Sequence, residues 1–367
     1  MRRNLYFCQP ILNLLDMKTL FPIRLKQARI MQGLSMESLC ERINHELSKQ
    51  SLSKYENGQM LPDSKSLILL SNALNVNIDY FFRPQTIEIE KVEFRKKSKL
   101  AKKQILTIQE VVKDKLERYF EIELILDMQS NYRGQYKCEQ SVLSDKDIYP
   151  LVANIKDKWR LGEDGINNLI EILEENGIKV IEIDASIDFD GLCGVANEDK
   201  PFIVLNMNFD SERKRFTALH ELGHLLLNFD SMLDEKDVEK YCNLFASEML
   251  VSKEVFLEKI GPNRSDISMQ ELIPIQKQFG ISIDALMYKA KELNIISDNR
   301  YKTYCKKKNA SEIFKSLVNE SRYKTEQSFR FERLVYRALA SEIISVSKAG
   351  VLLNESVDKV RNMINLV

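Results

Sequence analysis

Apolar residues recur at intervals of three and four along the first part of the chain, which is the spacing of amphipathic helices. Ile23, Leu25, Ala28 and Ile30 mark one helix, with Arg24, Lys26 and Arg29 expected on its outer side. Gly33 ends it. Leu39, Cys40 and Ile43 form the apolar side of a second helix capped by Ser35, whose hydroxyl can accept from an early backbone N–H. Asn44 suits a left-handed turn residue. Ser48 caps a third helix in which Leu52 and Tyr55 face inward, and Gly58 stops it. A fourth begins near Ser64.

Periodicity returns after a break. Ile105, Ile108, Val111, Val112, Leu116, Tyr119 and Phe120 predict one amphipathic helix over 104–128, free to pack on the next domain or on a second chain. Residues 129–147 are polar and weakly patterned. Leu151, Val152, Ile155 and Trp159 restart a helix, with Trp159 read as a core anchor. A helix over 168–176 stops at Gly177, and I-K-V-I-E-I, L-C-G-V-A and F-I-V-L-N read as three short strands. Helices follow to the end, including 212–227 and one starting near Asp234. The pattern predicts an all-α bundle, then an α+β domain with a small sheet, then a helical C-terminal region. The corresponding boundaries are an extension over 1–16, a bundle over 17–85, a basic and helical linker over 86–147, the α+β domain over 148–300 and helices over 301–367. For the last helices the expectation is packing or dimer contact, which admits a homodimer, and not a second DNA reader.

Composition adds little. Lys plus Arg and Asp plus Glu both number 54, so net charge selects no partner. Locally, Arg95, Lys96, Lys97, Lys99, Lys102 and Lys103 form a basic run, either a solvated linker or an extra phosphate contact. The six cysteines are scattered with no C-x-x-C pair, which suits reduced thiols in a cytoplasmic protein. No apolar run approaches the ~18 residues of a membrane span.

The chemistry concentrates at R-F-T-A-L-H-E-L-G-H, residues 215–224, which holds two of the chain's three histidines. Helix positions four apart return to within about 40° of each other, so His220 and His224 can reach one metal ion. Glu221 then stands beside the metal, where a general base belongs. A catalytic zinc takes three protein ligands, and no further histidine is at hand, because His45 lies in the first bundle. The third ligand is therefore a carboxylate or a cysteine: Glu235, Asp237, Glu239, Cys242 and Glu248 all stand on the following helix. Tyr241 is one candidate oxyanion donor.

In the first bundle, a short helix, a turn and a second helix with a polar N-terminal face form the geometry that enters a major groove. Lys49, Gln50, Ser51 and Lys54 are placed to face outward there, and glutamine and lysine suit base edges while hydroxyls and other cations suit phosphates. A plain bundle with a solvated face is the competing reading. The segments L-S-M-E-S-L-C-E-R-I, S-K-Q-S-L-S-K-Y-E-N-G and N-A-L-N-V-N-I-D-Y-F-F resemble the Xre-type (lambda-repressor-like) helix-turn-helix family over some sixty residues. That resemblance implies double-stranded operator DNA as partner and makes those four residues its contacts. Met36 departs from the family's common glutamine, and the turn N-H-E-L is longer than usual.

Residues 150–290 resemble the ImmA/IrrE family of zinc metallopeptidases through W-R-L-G-E-D, D-F-D-G, V-L-N, R-F-T-A-L-H-E-L-G-H and E-K-Y-C-N-L-F-A-S-E-M-L. The resemblance implies a zincin-like domain of the gluzincin plan holding Zn²⁺. Its E-x-x-A-N-x-F-A-x-x-L-L motif makes Glu239 the third ligand and Asn243 a partner of a ligand histidine, with Glu221 catalytic. Gly165, Cys242, Val251 and Ser252 depart from the family's usual residues. It further implies a repressor-type protein as substrate. The expectation is a regulator that binds operator DNA and cleaves a repressor, or itself. The alternative is a non-catalytic repressor or antitoxin-like module whose metal domain senses or binds a partner.

Overall fold

The computed structural model describes residues 14–90, 100–128 and 138–364. In chain order the elements begin with helices α1 Leu14–Met31, α2 Met36–Arg42, α3 Lys49–Glu56 and α4 Ser64–Leu74, with a 3-10 turn at Ile78–Phe82, then strand β1 Ile89–Glu90 and α5 Lys102–Ile125. Next come β2 Ser141–Val142, α6 Asp145–Lys158, α7 Leu169–Glu175, β3 Lys179–Ile183, β4 Gly191–Ala196, β5 Lys200–Asn206, α8 Ser211–Leu226, β6 Asn228–Phe229 and α9 Glu235–Leu250. The chain continues through α10 Lys253–Ile260, α11 Met269–Phe279, α12 Ile283–Glu292, α13 Asp298–Ala310, α14 Glu312–Asn319, α15 Arg330–Ala340, α16 Val346–Leu353 and α17 Val357–Ile364. The described residues form two compact units: one comprises 14–87, 100–128 and 331–364, and the other 88–90 and 138–330.

The first unit closes α1–α4 around Phe21, Leu25, Leu39, Leu52, Leu70, Leu74 and Phe81, all buried. The caps fall where the sequence places them: Ser35 Oγ accepts from Ser38 N at 3.0 Å and Ser48 Oγ from Ser51 N at 3.1 Å. Asn44 is left-handed, as expected, and so is His45. Three expectations need correction. α1 starts at Leu14, earlier than its periodicity marks, with Pro22 inside it. Arg24 is not on the outer side: it is buried against Glu117 of α5 at 2.9 Å and donates to the carbonyls of Arg83 and Pro84. Arg29 also turns inward, holding both carboxylate oxygens of Glu56 at 2.6 and 2.8 Å.

The helix placed in a linker, α5, belongs to this unit. It packs on α1, with Thr107 Oγ1 donating to Ile30 O at 2.8 Å. Arg83 bridges Asp114 and Glu117 on α5. Burial alone would push the Asp114 carboxyl up, but Arg118 and Arg83 outweigh it and hold it below the usual range. The C-terminal helices pack here too, through Arg118 Nη1 to Leu352 O at 2.8 Å and Asn354 Nδ2 to Asn75 O at 3.2 Å. Residues 1–13 of the expected extension and Arg95, Lys96, Lys97 and Lys99 of the basic run lie outside the described residues. Lys102 and Lys103 are exposed at the start of α5.

The second unit has a four-stranded sheet in the order β1-β4-β5-β3. β3 runs parallel to β5, and β4 runs antiparallel to β5. The sequence pattern shows three of these strands. β1 was not foreseen, because two residues carry no periodicity; it adds antiparallel to β4. β2 and β6 form a separate parallel pair. α8 lies on β4 and β5 and against α9. Between them, Ala218, Leu219, Leu222, Phe245, Ala246 and Met249 are fully buried with Ile203 and Leu205 of the sheet. Among the described residues, no helix is long and apolar enough to cross a membrane.

Candidate metal centre and DNA-reading helix

α8 is capped by Asp210, whose side chain accepts from Arg213 N at 2.9 Å, and runs from Ser211 without a break to Leu226. One face must be apolar to cover the sheet, and the adjacent face carries His220 and His224. α9 can approach this face closely because of Gly223, where a Cβ would already sit 3.3 Å from Phe245 and 3.4 Å from Cys242 Sγ. That close approach brings Glu239 of α9 up to both histidines.

The resulting cluster is compact. His220 Nε2 and His224 Nε2 are 3.1 Å apart, and the two Glu239 oxygens lie 3.5 Å from one nitrogen each. A tetrahedral ion with bonds of about 2.0–2.2 Å sets its ligand atoms roughly 3.3–3.6 Å apart, so the two 3.5 Å spacings match, the 3.1 Å pair is slightly tighter, and the two-nitrogen, one-carboxylate donor set suits zinc. His220, His224 and Glu239 are the one such group of three metal-ligand side chains among the described residues. Two other candidates on α9 are committed elsewhere. Glu248 is buried in an ion pair with Lys289. Tyr241 OH donates to Leu143 O at 3.3 Å, which commits it away from an oxyanion role.

The other imidazole nitrogens are also held. His220 Nδ1 meets Asn243 Oδ1 at 2.9 Å, and His224 Nδ1 meets Cys242 Sγ at 2.9 Å. An amide oxygen only accepts, so Asn243 selects the Nδ1–H tautomer of His220 and leaves Nε2 free to bind metal. Cys242 is the residue that sequence reasoning treats as inert core. It is buried, yet its sulfur reaches His224; its place one residue before Asn243 on α9 is the signal that could have found it. Glu221, next to His220 on α8, is buried.

A cleft of about 990 Å³ begins at Glu239 and Asn243, follows α9 past Lys240 and Ser247, and reaches Tyr288 on α12 and Ser321 beyond α14. Its charges are mostly paired within the walls, Lys240 with Asp145 at 2.8 Å and Lys308 with Asp284.

In the first unit, α3 presents Lys49, Gln50 and Lys54 to solvent, with Ser51 half-buried beside the cap. Lys49 is 3.0 Å from Glu37, but both are more than half exposed, so the pair is weak and can exchange for another anion. Leu52 and Tyr55 anchor the opposite face in the core. His45 stands exposed in the preceding turn, away from any metal group.

Two family models match the chain. Residues 25–81 match the helix-turn-helix model, and residues 173–291 match a peptidase model described as the IrrE N-terminal-like domain. No curated protein matches the chain. The chain thus joins a DNA-binding, helix-turn-helix domain to a metallopeptidase-like domain of the IrrE type.

Proposed function

We propose that the protein is a transcriptional regulator that binds operator DNA through α3 and cuts a repressor-type protein, or itself, with a zinc endopeptidase site. The observation that carries this reading is the spacing of His220, His224 and Glu239, which suits a three-ligand zinc site with one open position. When bound, Zn²⁺ lowers the pKa of water from about 15.7 toward 7 and polarises a peptide carbonyl. The chain's own residues do the rest. Glu221 accepts the proton of the attacking water and returns it to the leaving amine. Asn243 and Cys242 hold the imidazoles so that both Nε2 atoms face inward. Lys49, Gln50, Ser51 and Lys54 read and hold the duplex.

The test incubates zinc-loaded protein and its Glu221→Gln variant with repressors encoded nearby. The expected result is cleavage by the first and a loss of about 10²–10⁴-fold in the second. Intact repressors with both proteins, alongside a normal operator footprint, would leave the DNA-binding half standing and sink the protease.

A further inference from the structure

Residues 299–311 hold five cations, Arg300, Lys302, Lys306, Lys307 and Lys308, and no carboxylate, in a chain whose opposite charges balance. They fall on α13, which Ser297 caps by accepting from Arg300 N at 3.2 Å. The stretch lies beyond residue 291, where the peptidase family match ends.

The helix period divides these cations into two sets. Tyr304 is buried, its hydroxyl donating to Asp284 Oδ1 at 2.7 Å, with Tyr301 stacked beside it. This inner side of α13 packs on α12 and α14. Arg300 and Lys308 flank it and are committed to Asp266 and Asp284. Lys302 and Lys306, four residues apart, stand within about 40° of each other on the opposite side, and both are exposed. Lys307 is exposed at the margin, with its ammonium 4.4 Å from the centre of the Phe314 ring. Asn299 and Asn309 add exposed amides to the same side.

This face differs from an ordinary solvated one. Exposed cations elsewhere in the unit, such as Arg213, Lys240 and Arg264, each meet a carboxylate. Among the described residues, Lys302, Lys306 and Lys307 form no ion pair. Like charges at i and i+4 work against a helix, and an anion laid along the face removes that repulsion. One charge is not enough to meet all three. Lys302 and Lys306 are about 6 Å apart along the helix axis, while alternate phosphates of one DNA strand are roughly 7 Å apart along theirs. Lysine and asparagine are also side chains that contact DNA backbone without reading sequence.

Resting on the DNA-binding half of the reading above, we propose that the outer face of α13 binds the phosphate backbone of double-stranded DNA. The helix-turn-helix domain on the same chain supports this partner over an acidic protein, because it supplies a duplex at high effective concentration. The face contributes affinity through release of counterions and contributes no preference for a sequence.

The test uses full-length protein carrying Lys302→Gln, Lys306→Gln and Lys307→Gln together, beside a second protein with arginine at the same three positions. The operator selected by the parent, a random duplex and polyglutamate are titrated by fluorescence anisotropy at several salt concentrations. The glutamine variant is expected to lose about tenfold or more on both duplexes near 0.1 M salt, by the same factor for each. Its slope of log affinity against log salt should fall by about 2–3, one increment of roughly 0.9 per phosphate contact. The arginine variant should match the parent. Gln50→Ala, which tests the reading helix separately, should keep the slope and lose operator preference. A slope unchanged in the glutamine variant overturns the proposal. So does a loss confined to the operator, or a loss on polyglutamate with both duplexes held as before. If the parent holds neither duplex, the DNA-binding half of the proposed function fails, and this proposal with it.

Discussion

The two imidazole nitrogens that face away from Glu239 decide how well the cluster can bind. Asn243 offers a strong, fixed acceptor to His220, and Cys242 offers a soft and weaker one to His224. Removing a partner of this kind usually costs 10–100-fold in metal affinity. Asn243→Ala is therefore expected to raise the zinc dissociation constant by about 10–100-fold, and Cys242→Ala by less, in competition with a chromogenic chelator. Parent-like affinity in Asn243→Ala would mean that the helix alone orients His220. On α3 the division of labour is different. Gln50 is exposed with no structural work to do, so Gln50→Ala should weaken the preferred operator by about 1–3 kcal/mol and random duplex hardly at all. Lys54→Ala should weaken both and reduce the salt dependence by roughly one ion, measured by titration at several salt concentrations. A Gln50→Ala protein with unchanged operator preference would move the reading residue elsewhere on α3.

At the scale of elements, α8, the helix bearing His220 and His224, is tied down by a segment that the family match does not reach, since the match ends at residue 291. Residues 320–328 cross α8 as a strap. Glu212 of α8 accepts from Ser321 Oγ and from the backbone of Arg322 and Tyr323. Glu326 accepts from Arg215 Nη1 at 2.6 Å and Leu169 N at 3.1 Å, and its carbonyl accepts from Lys214 Nζ at 3.0 Å. Arg215 and Glu326 are both almost fully buried, so losing one carboxylate leaves a buried guanidinium without its counter-ion. Glu326→Ala should destabilise the peptidase unit by about 3–5 kcal/mol in urea unfolding, against less for Glu326→Gln, which keeps one of the two acceptors. A loss below about 1 kcal/mol would place water in the site. None of this strap was legible in the sequence. The stretch E-S-R-Y-K-T-E-Q-S fell inside the helical region expected over 301–367, because hydrophobic period carries no information about charges that bury one another. The same blindness put Arg24 and Arg29 on the surface. What was legible were the elements whose signals are local: the caps at Ser35 and Ser48, the inward Leu52 and Tyr55, and the H-E-x-x-H helix. Glu239 needed more than period, since spacing alone left five side chains in competition.

For the whole molecule, the candidate ligands His220, His224 and Glu239 and the helix proposed to read DNA, α3, fall in different compact units with separate cores. Metal removal can therefore be used to tell the two apart. A ligand that binds only the folded state adds RT ln(1 + [L]/Kd), or about 2.7 kcal/mol at a hundredfold excess over Kd. All three candidate ligands lie in the second unit, so that increment would belong to its unfolding alone. For a unit of this size the shift corresponds to about 5–10 °C. Scanning calorimetry of full-length protein before and after chelation should show one transition moving down by that amount while the other stays. His220→Ala protein should begin at the lower position and ignore the chelator. Operator binding by the chelated protein, measured below both transitions, is expected to match that of the loaded protein within a factor of about two, because no contact of α3 depends on the metal. If chelation instead shifts both transitions together, the two cores unfold as one, and metal occupancy becomes a means of changing the stability of the DNA-reading unit itself.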